Sequence, residues 1–112
     1  MKLTARSLGP LCVVDVAERR IDAAIAIAFK DAMRDLSDGS SGDVVLNLAQ
    51  VDFIDSSGLG AIVAAMKHLG PNRRLRLVAL GPAVEKVFRL TRMDSVFAIH
   101  ATLDAALADH GG

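Results

Sequence analysis

Short strand-like runs alternate with longer segments of helical periodicity, and this alternation restricts the fold more than any other feature of the chain. Leu3 to Leu8 and Leu11 to Ala17 read as two strands joined by the tight Gly9-Pro10 turn, hence as an antiparallel pair. A helix is predicted from Ala23 to Leu36. Ile25, Phe29, Ala32 and Leu36 recur at helical spacing, with Lys30, Asp31, Arg34 and Asp35 opposite and Asp22 placed to cap the first free amides. Val44 to Ala49 reads as the next strand. A second helix follows over Ser57 to Leu69, striped by Leu59, Ile62, Val63, Met66 and Leu69 and stopped by Gly70-Pro71. Arg74 to Leu80 forms another strand, and Pro82 opens a third helix that buries Val84, Val87 and Phe88. Val96 to Ile99 reads as a short edge strand and Leu103 to Asp109 as a last short helix.

Strands separated by helices imply parallel pairing through right-handed crossovers. The expected fold is therefore α/β, with a mixed, mostly parallel sheet and an antiparallel strand at its N-terminal edge. In one parallel strand Val44, Leu46 and Leu48 oppose Val45, Asn47 and Ala49. In the next, Leu75, Leu77 and Ala79 oppose Arg74, Arg76, Val78 and Leu80. A strand buried on both faces would be apolar throughout. The helices are therefore expected mainly on one face, with the other only partly covered.

Composition narrows the function. A chain of 112 residues holds one domain, taken as residues 1–112 with a frayed tail at Gly111-Gly112. Apolar residues make up 52%, without Trp or Tyr, which gives an aliphatic core and not a disordered chain. Thirteen basic residues balance thirteen acidic ones, so no net field favours nucleic acid or an anionic membrane. Cys12 is the only cysteine, which excludes an internal disulfide and a CxxC metal or redox site. The first residues lack the apolar core of a signal peptide, and no apolar run approaches the ~18 residues of a membrane span. A soluble, cytoplasmic protein without cofactor, monomeric when free, is expected.

Loops after parallel strands gather on one rim, where sites usually form. After the Val44 strand the chain reads Gln50-Val51-Asp52-Phe53-Ile54-Asp55-Ser56-Ser57-Gly58-Leu59-Gly60. Phe53 and Ile54 are expected to anchor the loop in the core. Asp55, Ser56 and Ser57 then open the second helix. Gly58 and Gly60 weaken its first turn, and two glycines there suggest that something approaches this backbone closely. Asp-Ser-Ser-Gly by itself is ordinary capping sequence.

The wider segment, Val44-Val45-Leu46-Asn47-Leu48 followed by Val51 to Gly60, resembles the signature of the STAS domain of anti-sigma factor antagonists. The resemblance continues through the Gly-Pro hairpin, Ile21-Asp22, and Pro82-Ala83-Val84 to Phe88. It implies a single STAS-like domain that works by partner switching. The first serine of Asp-Ser-Ser-Gly, here Ser56, would be phosphorylated by an anti-sigma factor that is also a serine kinase. Unphosphorylated, the antagonist would capture that partner; phosphorylated, it would release it until a PP2C-type phosphatase reset it. Asp22, Asp55, Ser57, Gly58, Leu59 and Gly60 are the expected partner-binding residues. The chemistry suits the place, because free amides and the helix dipole favour a phosphate at a helix N-terminus. The chain departs from the usual Gly-Glu-Leu-Asp turn with Arg19-Arg20-Ile21-Asp22. Arg19 and Arg20 read as a solvated turn, or as contacts to the phosphate or the partner.

Enzymatic readings fit less well. A serine hydrolase elbow needs glycine two residues before the serine, and Ile54 stands there. His68 lies about three turns along the helix that Ser56 opens, and His100 and His110 follow the edge strand and the last helix with nothing to bring them near. There is no phosphate-binding G-x-x-x-x-G-K-[ST] loop and no spacing for metal ligands. A non-enzymatic alternative is a STAS scaffold subunit of a transport assembly without a phosphorylation cycle.

Overall fold

The computed structural model describes residues 1–111, with side chains described through residue 109. The Gly9-Pro10 turn, with Gly9 at φ +56°, joins β1 (Leu3–Leu8) and β2 (Leu11–Val16) in the expected antiparallel pair. After them come β3 (Arg20–Ile21), α1 (Ala26–Asp38), β4 (Val44–Asn47), β5 (Phe53–Ile54) and α2 (Ser56–Leu69). The chain continues with β6 (Leu75–Val78), α3 (Pro82–Leu90), a 3₁₀ turn (Met93–Ser95), β7 (Ala98–His100) and α4 (Leu103–Gly111). The main sheet has the order β1-β2-β4-β6-β7, parallel from β2 onward, and β3 and β5 form a separate two-stranded parallel sheet.

Strand alternation divides the core as expected up to Val78, whereas Ala79 and Leu80, beyond the strand, pack on the faces opposite to those expected. Val14, Val16, Leu46 and Leu77 point to one face, where Phe29 and Met33 of α1, Ile62 and Ala65 of α2, and Val84 and Phe88 of α3 close over them. Leu11, Val13, Val45 and Val78 point to the other face, which is covered by Ala106, Leu103 and Leu107 of α4. Three helices thus pack on one side and a single short one on the other.

Several local expectations are corrected. α1 begins at Ala26 and not Ala23; Ile25 occupies the cap position and no side chain caps the helix. Asp22 instead closes the turn before the helix, where its Oδ1 accepts from the Ala24 N–H (3.1 Å) and its carbonyl from the Ile25 N–H (3.1 Å). The Val44 and Leu75 strands are shorter than expected. The latter stops at Val78 because Ala79 turns to φ +60°, a conformation that alanine adopts at a cost. Val96 and Phe97 precede β7 rather than belong to it. Arg76, on the face read as polar, is only 5% exposed beneath α4. Its guanidinium pairs with Asp43 (3.1 Å) and with Asp109 of α4 (2.6 Å). The final helix runs to Gly111, so the expected frayed end, apart from the Gly111 backbone, lies outside the described residues.

Candidate functional site

Two residues of strand on each side position the site. In the β3/β5 register Arg20 lies opposite Phe53 and Ile21 opposite Ile54. Period-two alternation sends Ile21 (0% exposed) and Ile54 (4%) into the core and leaves Arg20 and Phe53 outside. Only Ile54 therefore anchors the loop. Phe53, expected in the core, is 39% exposed, with the Arg20 guanidinium stacked 4.1 Å above its ring centroid. Arg20 is consequently part of a strand, whereas Arg19 precedes it in a solvent-exposed bend. The ladder is completed by the Asp52 N–H donating to the Arg19 carbonyl (2.7 Å) and the Asp55 N–H to that of Ile21 (3.3 Å).

At the end of β5, Asp55 binds two segments at once. Its backbone is extended, and its Oδ1 accepts from the Gly58 N–H (2.8 Å), which caps α2. Its Oδ2 accepts from the Ala23 N–H (3.0 Å) in the loop between β3 and α1. The Gly58 amide, with help from those of Ala23 and Ser57, holds the Asp55 carboxyl below its ordinary value against the opposing effect of burial. Asp55 is therefore an ionised clamp between the two loops. The Gly58 amide at the helix start is already engaged by this carboxylate, so a phosphate on Ser56 would share the helix N-terminus with a second anion.

The two glycines have different roles. Gly58 is buried, and a Cβ there would overlap the Ile21 carbonyl oxygen and lie 2.7 Å from its carbon. Gly58, expected as a partner contact, is thus an internal packing position, because the chain's own backbone makes the close approach. A Cβ on Gly60 would meet nothing within 4 Å. Leu59 is half-buried against the core, whereas Ser56, Ser57 and Gly60 are exposed. Asp22 stands beside them, half-buried, with its Oδ2 accepting from Arg20 Nε (3.2 Å).

Beyond the serines a shallow furrow runs between α1 and α2, lined by Ile27 and Lys30 on one side and by Ser57, Gly60 and Ala64 on the other. Ile27 is 73% exposed at its edge. The only signal of this exposure in the sequence is the place of Ile27, two residues after Ile25 and two before Phe29, which puts it off the core stripe. Neither histidine with a described side chain is turned to Ser56. His68 Nε2 lies 2.7 Å from Asp38 Oδ1, and His100 Nε2 lies 3.3 Å from Arg76 Nη1. Among the described residues no cluster of His, Cys, Asp and Glu could hold a metal, and no helix is long and apolar enough to cross a membrane.

Residues 2–106 match the STAS domain family, and the chain belongs to that family. An anti-sigma factor antagonist from Mycobacterium paratuberculosis is similar at 30% identity and a TM-score of 0.86, over 96% of this chain and 92% of that one. The anti-sigma-F factor antagonist RsfB of Mycobacterium tuberculosis is 28% identical over 87 residues, which span 78% of this chain and 71% of RsfB. The Bacillus antagonist SpoIIAA shares the fold. Its unphosphorylated form superposes with a TM-score of 0.75 at 17% identity, over 99% of this chain and 98% of that one. Its phosphorylated form superposes with a TM-score of 0.67 at 19% identity, over 96% and 98%.

Proposed function

We propose that the protein is an anti-sigma factor antagonist of the cytoplasm, a binding protein and not an enzyme, switched by phosphorylation of Ser56. Unphosphorylated, it binds an anti-sigma factor that is also a serine kinase; phosphorylated, it releases that partner; a PP2C-type phosphatase restores it. The observation that carries this reading is the exposure of Ser56 on a backbone immobilised by its neighbours. Asp55 and Gly58 lock the junction internally, while Ser56, Ser57 and Gly60 face outward beside the exposed Ile27. Such a serine can enter a kinase cleft without any unfolding of the domain. A phosphate there adds about −1.5 to −2 charges at neutral pH. Asp55 already occupies the nearby amides, so much of that charge would fall on the partner surface. The likeness to anti-sigma factor antagonists, and a phosphorylated form of one protein that shares the fold, support the same reading.

In this reading Ser57, Leu59 and Gly60 form the contact surface around Ser56, and Asp22 and Asp55 shape it. Incubation with ATP and the serine kinase encoded beside the gene, followed by mass spectrometry, tests the cycle. One phosphate on Ser56, removable by a PP2C-type phosphatase, is expected. A chain left unmodified would instead fit a scaffold subunit.

A further inference from the structure

The geometry points to the Arg20–Phe53 stack as a preformed receptor for a carboxylate, one that reads an acidic side chain on the bound anti-sigma factor. The inference rests on the partner-switching reading above and adds the chemistry that the partner must present.

Three constraints fix the guanidinium before any partner arrives. Arg20 and Phe53 face each other in the β3/β5 register, so their backbones cannot drift apart. The guanidinium carbon lies 4.1 Å over the ring centroid, which fixes its position above the ring. Its Nε donates to Asp22 Oδ2 at 3.2 Å, which sets its rotation. Neither Nη makes a hydrogen bond among the described residues, and the side chain is 59% exposed. What remains open is the outer Nη edge, whose paired N–H groups match a carboxylate.

An exposed arginine on a flexible stem gains little from an ion pair, since water screens it and ordering the side chain costs entropy. Here the ordering is already done, and a partner that covers Phe53 removes the screening water. Arginine and exposed aromatic residues are also the types that dominate binding energy at interfaces. The place is appropriate: β5 runs directly into Asp55-Ser56, and Asp55 binds Ala23 just beyond β3, so receptor and phosphoacceptor stand on one rigid shelf. Arg19 provides an internal contrast. It carries the same charge on the adjacent residue but is 83% exposed, and its Nη2, rather than its Nε, is engaged by a carboxylate, that of Asp52 at 2.5 Å.

The test is calorimetric titration of the neighbouring-gene kinase into unphosphorylated wild type, Arg20→Glu, Arg20→Gln, Arg20→Lys and Arg19→Glu, at low and moderate salt. Circular dichroism checks that each variant is folded; Arg20→Lys keeps the charge without the planar fork, and Arg20→Gln removes the charge without reversing it. Arg20→Glu is expected to weaken binding by about tenfold or more, Arg20→Gln and Arg20→Lys by less, and Arg19→Glu by under about twofold. The salt dependence of wild type should be steeper than that of Arg20→Glu. Binding of Arg20→Glu within twofold of wild type would overturn the receptor, as would equal losses for Arg19→Glu and Arg20→Glu, which signify a general field. No binding by wild type would sink the partner-switching reading and this inference with it, so the two failures are distinct.

Discussion

Gly58 packs its α-carbon against the carbonyl group of Ile21, so the start of α2 and the end of β3 meet backbone to backbone with no room for a methyl group. Both atoms that an added Cβ would strike belong to the backbone and cannot swing aside. Gly58→Ala should therefore destabilise by more than about 3 kcal/mol, among the larger effects of a single substitution. Gly60→Ala, in the same turn but facing open space, should stabilise by up to about 1 kcal/mol through helix propensity. Denaturant unfolding of the two variants measures both. Equal effects would show that the first turn is packed differently.

Asp55 makes the junction sensitive to acid. Its folded-state pKa lies below the unfolded value, so the stabilisation it confers is complete above about pH 4 to 5 and is lost as the pH falls through the folded pKa. Asp55→Asn keeps an oxygen for the Gly58 amide but cannot also accept from Ala23 without an unfavourable amide contact. The variant should be less stable than wild type at pH 7, and the difference should shrink toward pH 3. Unfolding at pH 7, 5 and 3 gives the two profiles. Parallel curves would contradict the clamp.

On the opposite face, α4 depends on one buried cation. Arg76 joins Asp43 to Asp109, and its removal takes the shared cation from between two carboxylates, one of them only 14% exposed. Arg76→Ala should cost at least about 3 kcal/mol, as broken buried ion pairs do. Asp109→Asn should chiefly loosen α4, seen as faster amide exchange over residues 103–109. An unchanged midpoint for Arg76→Ala would mean that α4 is held by Leu103, Ala106 and Leu107 alone.

The order of the elements and the Asp-Ser-Ser-Gly junction were legible because each carries its own local signal. β4 is an apolar run, Asp55 is a preferred cap, and α2 has a long stripe of core residues. β3 and β5 were not legible. A two-residue strand has no period to detect, and its pairing joins positions 33 residues apart, as Arg20↔Phe53 shows. Asp22 misled for the same reason, since its composition suits a cap and equally the turn that it closes. Gly58 and Gly60 are identical in sequence, and only the Ile21 carbonyl tells them apart. The burial of Arg76 was not legible because alternation along a strand says nothing about an acid on α4.

Ser56 is tested most directly by titrating wild type, Ser56→Ala and Ser56→Asp against the cognate serine kinase, with circular dichroism to establish equal folding. Ser56→Ala keeps a small neutral side chain and leaves the Asp55 cap intact, so it should fold normally and bind constitutively without accepting phosphate. Ser56→Asp should also fold, because an acid in the first turn of a helix is tolerated or favoured. It should bind at least about tenfold more weakly, because its charge must be desolvated against a surface shaped for a hydroxyl. Folding and binding would then separate one residue from the helix cap. Equal affinity of the alanine and aspartate variants, with phosphate mapped to Ser57 or to no residue, would contradict the assignment of Ser56 as the switch.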